Sequence, residues 1–167
     1  MEYHIKCKLI SIHEKLDILD SNENVVYRAA SKALSIHDKT HLTDADGNEI
    51  AYMHAKAISI HQVHYVEMAS GENFEIKLKL GHPIHNQFDI EELGWKIQGK
   101  FAAHDYEIMD ENSTILATAH RKWFSMHNIY YLNIHDETKK ELLLAAYIVL
   151  EHILSNQEAA ANTNGKS

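Results

Sequence analysis

Every 24 residues the first half of this chain returns to the same corner, and that period narrows the possible folds further than anything else in the sequence. Residues 9–32 (LISIHEKLDILDSNENVVYRAASK) align without gaps to residues 33–56 (ALSIHDKTHLTDADGNEIAYMHAK). The two copies share Ser11/Ser35, Ile12/Ile36, His13/His37, Lys15/Lys39, Asp20/Asp44, Asn24/Asn48 and Lys32/Lys56. A third copy, from Ala57 to Leu80, keeps Ser59-Ile60-His61, and a degenerate fourth keeps Ile84-His85. The echo continues at Phe101 to His104 and at Phe124 to His127, so six corners end on His13, His37, His61, His85, His104 and His127. A unit this short cannot bury its own apolar face, so successive copies must pack side by side.

Each corner follows a long apolar-alternating run and precedes a short one. Between short and long runs lie Asp20 to Asn24, Asp44 to Asn48, Ala69 to Glu72 and Asp110 to Ser113. Their Asp, Asn and Gly supply left-handed backbone and local side-chain hydrogen bonds, the chemistry of hairpin loops. The pattern predicts twelve strands: long ones near 3–12, 24–36, 48–60, 72–84, 95–103 and 114–126, short ones near 15–19, 39–44, 63–68, 86–91, 105–110 and 129–135. Tight turns throughout make an antiparallel meander. Such a sheet has two exposed edges unless it curls and closes. A closed barrel of this size needs something other than its own side chains to fill it.

The filler is legible downstream. Leu142 to Leu150 are nine consecutive apolar residues. A surface helix shows an apolar stripe and a polar back, whereas this one is apolar all round and must be covered on every side. It is shorter than the run of about 20 needed to span a bilayer. The spacing predicts a helix over 138–155, opened by a capping box between Thr138 and Glu141. Small residues on alternate positions, Ala29, Ser31, Ala33 and Ser35 in one strand and Ala51, Met53, Ala55, Ala57 and Ser59 in the next, form the face that receives it. The expected fold is therefore mainly β, a twelve-stranded antiparallel closed barrel around a C-terminal hydrophobic helix. It is a single domain over 1–155, and the small, polar segment 156–167 is expected to be disordered.

A chain of 167 residues, 45% hydrophobic, suffices for one domain with a substantial core. Its net charge of −8 argues against a broad basic face for nucleic acid. The single Cys7 excludes an intramolecular disulfide, and no secretory leader opens the sequence, so the expectation is a cytoplasmic protein.

Fourteen histidines raise the question of metal. His61/His64 and His82/His85 are close pairs, but zinc wants three or four convergent ligands, and the corner histidines recur where the backbone turns left-handed. They read as architecture, with no metal and no cofactor. Ser11/His13, Ser35/His37 and Ser59/His61 recur three times, whereas a catalytic site is built once. Cys7 has no visible activating partner. Asp105 and Glu107 share one strand face and are the most tempting carboxylate pair, compatible with an acid/base dyad or a calcium ligand, against a solvated outer face with their neighbours Tyr106 and Ile108 turned inward. Lys77, Lys79, Arg121 and Lys122 are the basic residues that a local patch for an anionic ligand would use.

The repeated Ser-Ile-His-(Glu/Asp)-Lys corners carry a resemblance, together with Gly94-Trp95-x-Ile97-x-Gly99-x-Phe101, Ala103-His104-Asp105-Tyr106-Glu107-Ile108, Lys122-Trp123-Phe124-Ser125 and the terminal helix. Over residues 1–155 the chain resembles the LURP-one-related proteins of the tubby-like, phospholipid scramblase-like superfamily, particularly small bacterial members of the YxjI type. The resemblance implies a tubby-like barrel. It also implies either a non-enzymatic binding or scaffold module, with a protein partner or anionic small ligand, or a phosphoinositide or phospholipid headgroup binder at the membrane surface. An enzyme using Asp105 and Glu107 is the remote reading. The corner histidines stand where these repeats are expected to carry Gly, and the acidic balance favours the binding module without nucleic acid or membrane.

Overall fold

The computed structural model describes residues 1–7, 15–31, 39–58, 61–79, 87–124 and 127–164. They form twelve strands: β1 (Glu2–Cys7), β2 (Lys15–Leu19), β3 (Val25–Ser31), β4 (Thr40–Asp44), β5 (Glu49–Ile58), β6 (His61–Met68), β7 (Phe74–Lys79), β8 (Gln87–Ile90), β9 (Trp95–Lys100), β10 (Asp105–Met109), β11 (Ile115–Phe124) and β12 (His127–Ile134). One long helix, α1 (Lys140–Asn164), follows. Every pairing is antiparallel, and the strands run in the single order β7-β6-β5-β4-β3-β2-β1-β12-β11-β10-β9-β8. Strand number and sense agree with the sequence. Closure does not follow, because β7 and β8 are the two ends of the sheet and no ladder joins them among the described residues. The ends nonetheless come within 8 Å at Cα, and β7 also approaches the 3-10 turn Glu91–Leu93.

The repeat is explicit in the hairpin loops. In three of them the N–H of the fourth residue donates to the first residue's carbonyl: Glu23 to Asp20 at 3.1 Å, Gly47 to Asp44 at 3.2 Å and Ser113 to Asp110 at 3.0 Å. That fourth residue is left-handed each time, with φ of 64°, 91° and 64°. The leading Asp Oδ1 accepts two further backbone N–H groups, from Asn22 and Asn24, from Asp46 and Asn48, or from Asn112 and Thr114. The register shifts just before each of these loops, at Ile18/Leu19, Leu42/Thr43 and Ile108/Met109. This is the bulge that a three-residue hairpin loop imposes.

Helix α1 fills the space the sheet encloses. All nine residues from Leu142 to Leu150 are buried, with none above 8% exposure, and Ile153 and Leu154 continue the core. The receiving face is the one expected: Ala29, Ala51, Met53 and Ala55 are buried, while Arg28 and Lys56 face out. The helix packs on β5, β6 and β12, and the Lys140 Nζ lies 5.9 Å from the Tyr27 ring centre on β3. Ala33, Ser35 and Ser59 lie outside the described residues.

Two expectations about the helix change. The 3-10 turn Glu137–Lys139 that leads into it is capped by Asp136, whose carboxylate accepts from the Thr138 N–H and hydroxyl, so Thr138 is a donor within that turn rather than the first half of a capping box with Glu141. Asx chemistry one step upstream outcompetes the box because Asp136 can take both donors at once. The helix also runs through Asn164, past Ser155 where the sequence reading ends the ordered domain. Residues 156–164 contain neither Gly nor Pro, and their three Ala, one Gln and one Glu are strong helix formers set among three Asn and one Thr, a mixture that reads the same in an exposed helix as in a disordered tail.

Candidate functional site

Where α1 leaves its apolar stretch, the first carboxylates it carries are Glu151 and Glu158. Seven residues is two helical turns, so both project from one face. That face meets a wall of three polar side chains. His104 follows the 3-10 turn Phe101–Ala103 in the left-handed region, φ 51°, with its N–H donating to the Phe101 carbonyl at 2.9 Å. The backbone turn sends its imidazole inward, where the side chain is wholly buried. Its Nδ1 is 2.5 Å from Glu151 Oε2, and its Nε2 is 3.2 Å from Glu158 Oε1. The Tyr106 hydroxyl on β10 donates to Glu151 Oε1 at 2.7 Å. Arg121 on β11 grips Glu158 with both ends of its fork, at 3.1 and 2.9 Å. Tyr130 of β12 meets the His104 ring edge-on, 5.6 Å between centres.

The electrostatics follow from burial and pairing. The imidazole has a carboxylate oxygen near each nitrogen, so its protonated form would meet an anion on both sides. With Arg121 this makes two cations against two anions, which is how a protein keeps charges inside without an uncompensated one. Burial by itself would raise the Glu158 carboxyl, but the Arg121 guanidinium and His104 outweigh it and hold the group below the ordinary carboxylate range. Burial would likewise lower Arg121, and its bonds to Glu158 and Tyr130 reverse the sign. Burial, then the Glu151 charge, push the Tyr106 phenol well above its usual value, so it stays a donor.

Of the basic residues singled out in the sequence, Arg121 and Lys122 face opposite ways. Arg121 points inward, and Lys122, the next residue on the pleat, points out and lies over the Tyr131 ring, 4.7 Å from its centre. Lys77 is exposed on β7 and pairs with Glu75 at 3.3 Å, which raises its affinity for a proton. The side chain of Lys79 lies outside the described residues. Tyr106 and Ile108 turn inward and Asp105 faces solvent, with Glu107 half-buried beside it, as strand alternation requires.

Of the corner histidines, His13, His37 and His85 lie outside the described residues, and His61 and His127 open β6 and β12 rather than occupying left-handed turns. Only His104 among these described corners has the left-handed backbone. His54, His64 and His152 border one cavity of about 20 Å³, beside Thr40, Met53, Ile148 and Val149. Among the described residues no three His, Cys, Asp or Glu side chains are placed to hold a metal. On the outer wall His41, Tyr52, His54 and Tyr65 stack in a row at 4.8, 5.3 and 5.0 Å, with His41 on Glu49 and His54 on Glu67.

Sequence reasoning placed His104 as a corner and Glu158 in a tail, and so missed that they meet. The available signal was the seven-residue spacing of the first two carboxylates beyond an apolar helical run.

No curated protein matches the chain. A crystal structure of a protein from Arabidopsis thaliana has the same fold, with a TM-score of 0.50 at 15% identity over 94% of this chain and 91% of that one. A family model described as LURP-one-related matches residues 1–151, from the first strand to Glu151. With the repeat, all twelve strands and the apolar stretch Leu142 to Leu150 inside that span, the chain belongs to the LURP-one-related family.

Proposed function

We propose that this protein is a non-enzymatic binding or scaffold module, of the tubby-like, YxjI-type kind, that engages a protein partner through its outer wall in the cytoplasm. The observation that carries this reading is the filled interior: nine consecutive buried residues of α1 occupy the space where a barrel of this size would hold a ligand. Recognition then falls to outward side chains and hairpin loops. Closure of the sheet at β7 and β8 belongs to the same proposal, supported by the approach of the two ends. The lipid-headgroup alternative needs several cations converging on phosphate. Arg121 is instead committed to Glu158 inside the wall, and a net charge of −8 opposes an anionic surface.

Photo-crosslinking residues placed in cells at the outward positions Thr43 and Lys96, and at the inward position Ala51 as control, test the reading. A discrete protein adduct from an outward position and none from Ala51 is the expected result. Salt-resistant flotation of the purified protein with phosphoinositide vesicles would move the function to the membrane. Substrate turnover lost in Glu107→Gln would make it an enzyme.

A further inference from the structure

We propose that His104, Arg121, Glu151 and Glu158 form a proton-operated latch on α1. With His104 protonated, the helix is held against the wall to its end; loss of that proton frees the segment beyond Leu154.

The device rests on four observations. First, both imidazole nitrogens face carboxylates, so either neutral tautomer would set a lone pair against one of them. Second, the charges balance only with the proton present, since Arg121 alone leaves one of two carboxylates uncompensated in a site where the His104 and Arg121 side chains are 0% and 2% exposed. Third, the two anions differ in mobility. Glu151 is 13% exposed, bonded to the Tyr106 hydroxyl, and flanked by buried Leu150 and Ile153. Glu158 is 38% exposed and sits among exposed Ser155, Asn156 and Ala160. When the balance fails, Glu158 is the group that can move into water, and it carries the last helical turns with it. Fourth, Glu158 lies beyond residue 151, where the family match ends, so the latch joins the last helical turns to the matched part of the chain.

Glu151 and Glu158 from α1 and Tyr130 from β12 face His104, Tyr106 from β10 and Arg121 from β11 bond to those two carboxylates, and the Tyr147 ring of α1 lies beside that of Tyr106. The tyrosines supply no charge at neutral pH, with burial holding Tyr106 well above its usual value. His104 is the one imidazole among these groups, and its ring proton is the one the latch turns on. What the latch controls is whether residues 155–164 lie on the wall or project from it.

Amide hydrogen exchange across a pH series from about 5.5 to 8.5, corrected for intrinsic exchange, tests the latch, with the His104 ring followed by NMR in the same samples. The expected result is at least a tenfold loss of protection over 156–164 that tracks the His104 titration, while 142–150 keeps its protection. In Glu158→Gln the neutral amide removes the imbalance, and the pH dependence should vanish. Flat protection over 156–164 in the parent overturns the latch, whether or not His104 titrates. A pH-dependent loss that persists unchanged in Glu158→Gln overturns it as well.

Discussion

The Asp residues that open the hairpin loops are the side chains whose structure and sequence agree most closely. Asp20 is held below its ordinary value chiefly by the Asn24 N–H, and Asp44 chiefly by the Asn48 amide, each against a smaller cost of burial. The folded chain thus binds these protons less readily than the unfolded one. Their contribution is complete above the unfolded carboxyl value of about 3.9 and drains away as pH falls through the lower folded values. Urea midpoints should accordingly fall as pH drops below about 4, with a shallower fall in Asp44→Asn. Gly99 makes a sharper case. It lies opposite Tyr106 with φ +153°, and an added Cβ would collide with the Asp105 carbonyl and the Tyr106 Cα. Both obstacles are backbone, so Gly99→Ala should cost about 3 kcal/mol. At about 2–4 °C per kcal/mol, calorimetry should show a melting temperature lower by on the order of 10 °C. Loop residues announce themselves because their chemistry is local. The need for Gly at 99 and the partners of His104 depend on strands and a helix that meet only in the folded molecule.

Helix α1 was visible in the sequence because nine apolar residues in a row admit only a covered environment. Its true ends were not, since capping by Asp136 and continuation to Asn164 turn on single hydrogen bonds and on weak propensities. The buried stretch gives a graded test. Leu144, 1% exposed, faces the core, and Leu144→Ala should lower stability by about 2–5 kcal/mol while leaving a folded protein by circular dichroism. Leu144→Asp places an unpaired charge there and should leave no soluble material, because that penalty approaches the whole of a typical domain's stability. A folded Leu144→Asp melting near the parent would contradict the enclosed helix.

The twelve strands and their antiparallel sense could be counted from the repeat, whereas how β7 and β8 meet could not, because edge pairing leaves no periodic trace in side chains, and no ladder joins them among the described residues. Exchange tests the proposed closure: amides of β7 and β8 should then be protected like those of β1 and β12, which are paired on both sides, and faster exchange at β7 and β8 would leave the sheet open. The same strand order has a kinetic side. Every ladder but one joins neighbours in sequence, and each such hairpin can zip within microseconds. The exception sets Tyr3 opposite Leu132, so the two runs of hairpins, β1–β7 and β8–β12, become one sheet only when the chain closes its longest loop. The helix that fills the interior is C-terminal to all twelve strands. On a ribosome, therefore, the apolar inner wall is made first and stays uncovered until α1 emerges. A chain with so few long-range steps, all of them late, has its folding rate set at one junction and its greatest exposure to aggregation during synthesis.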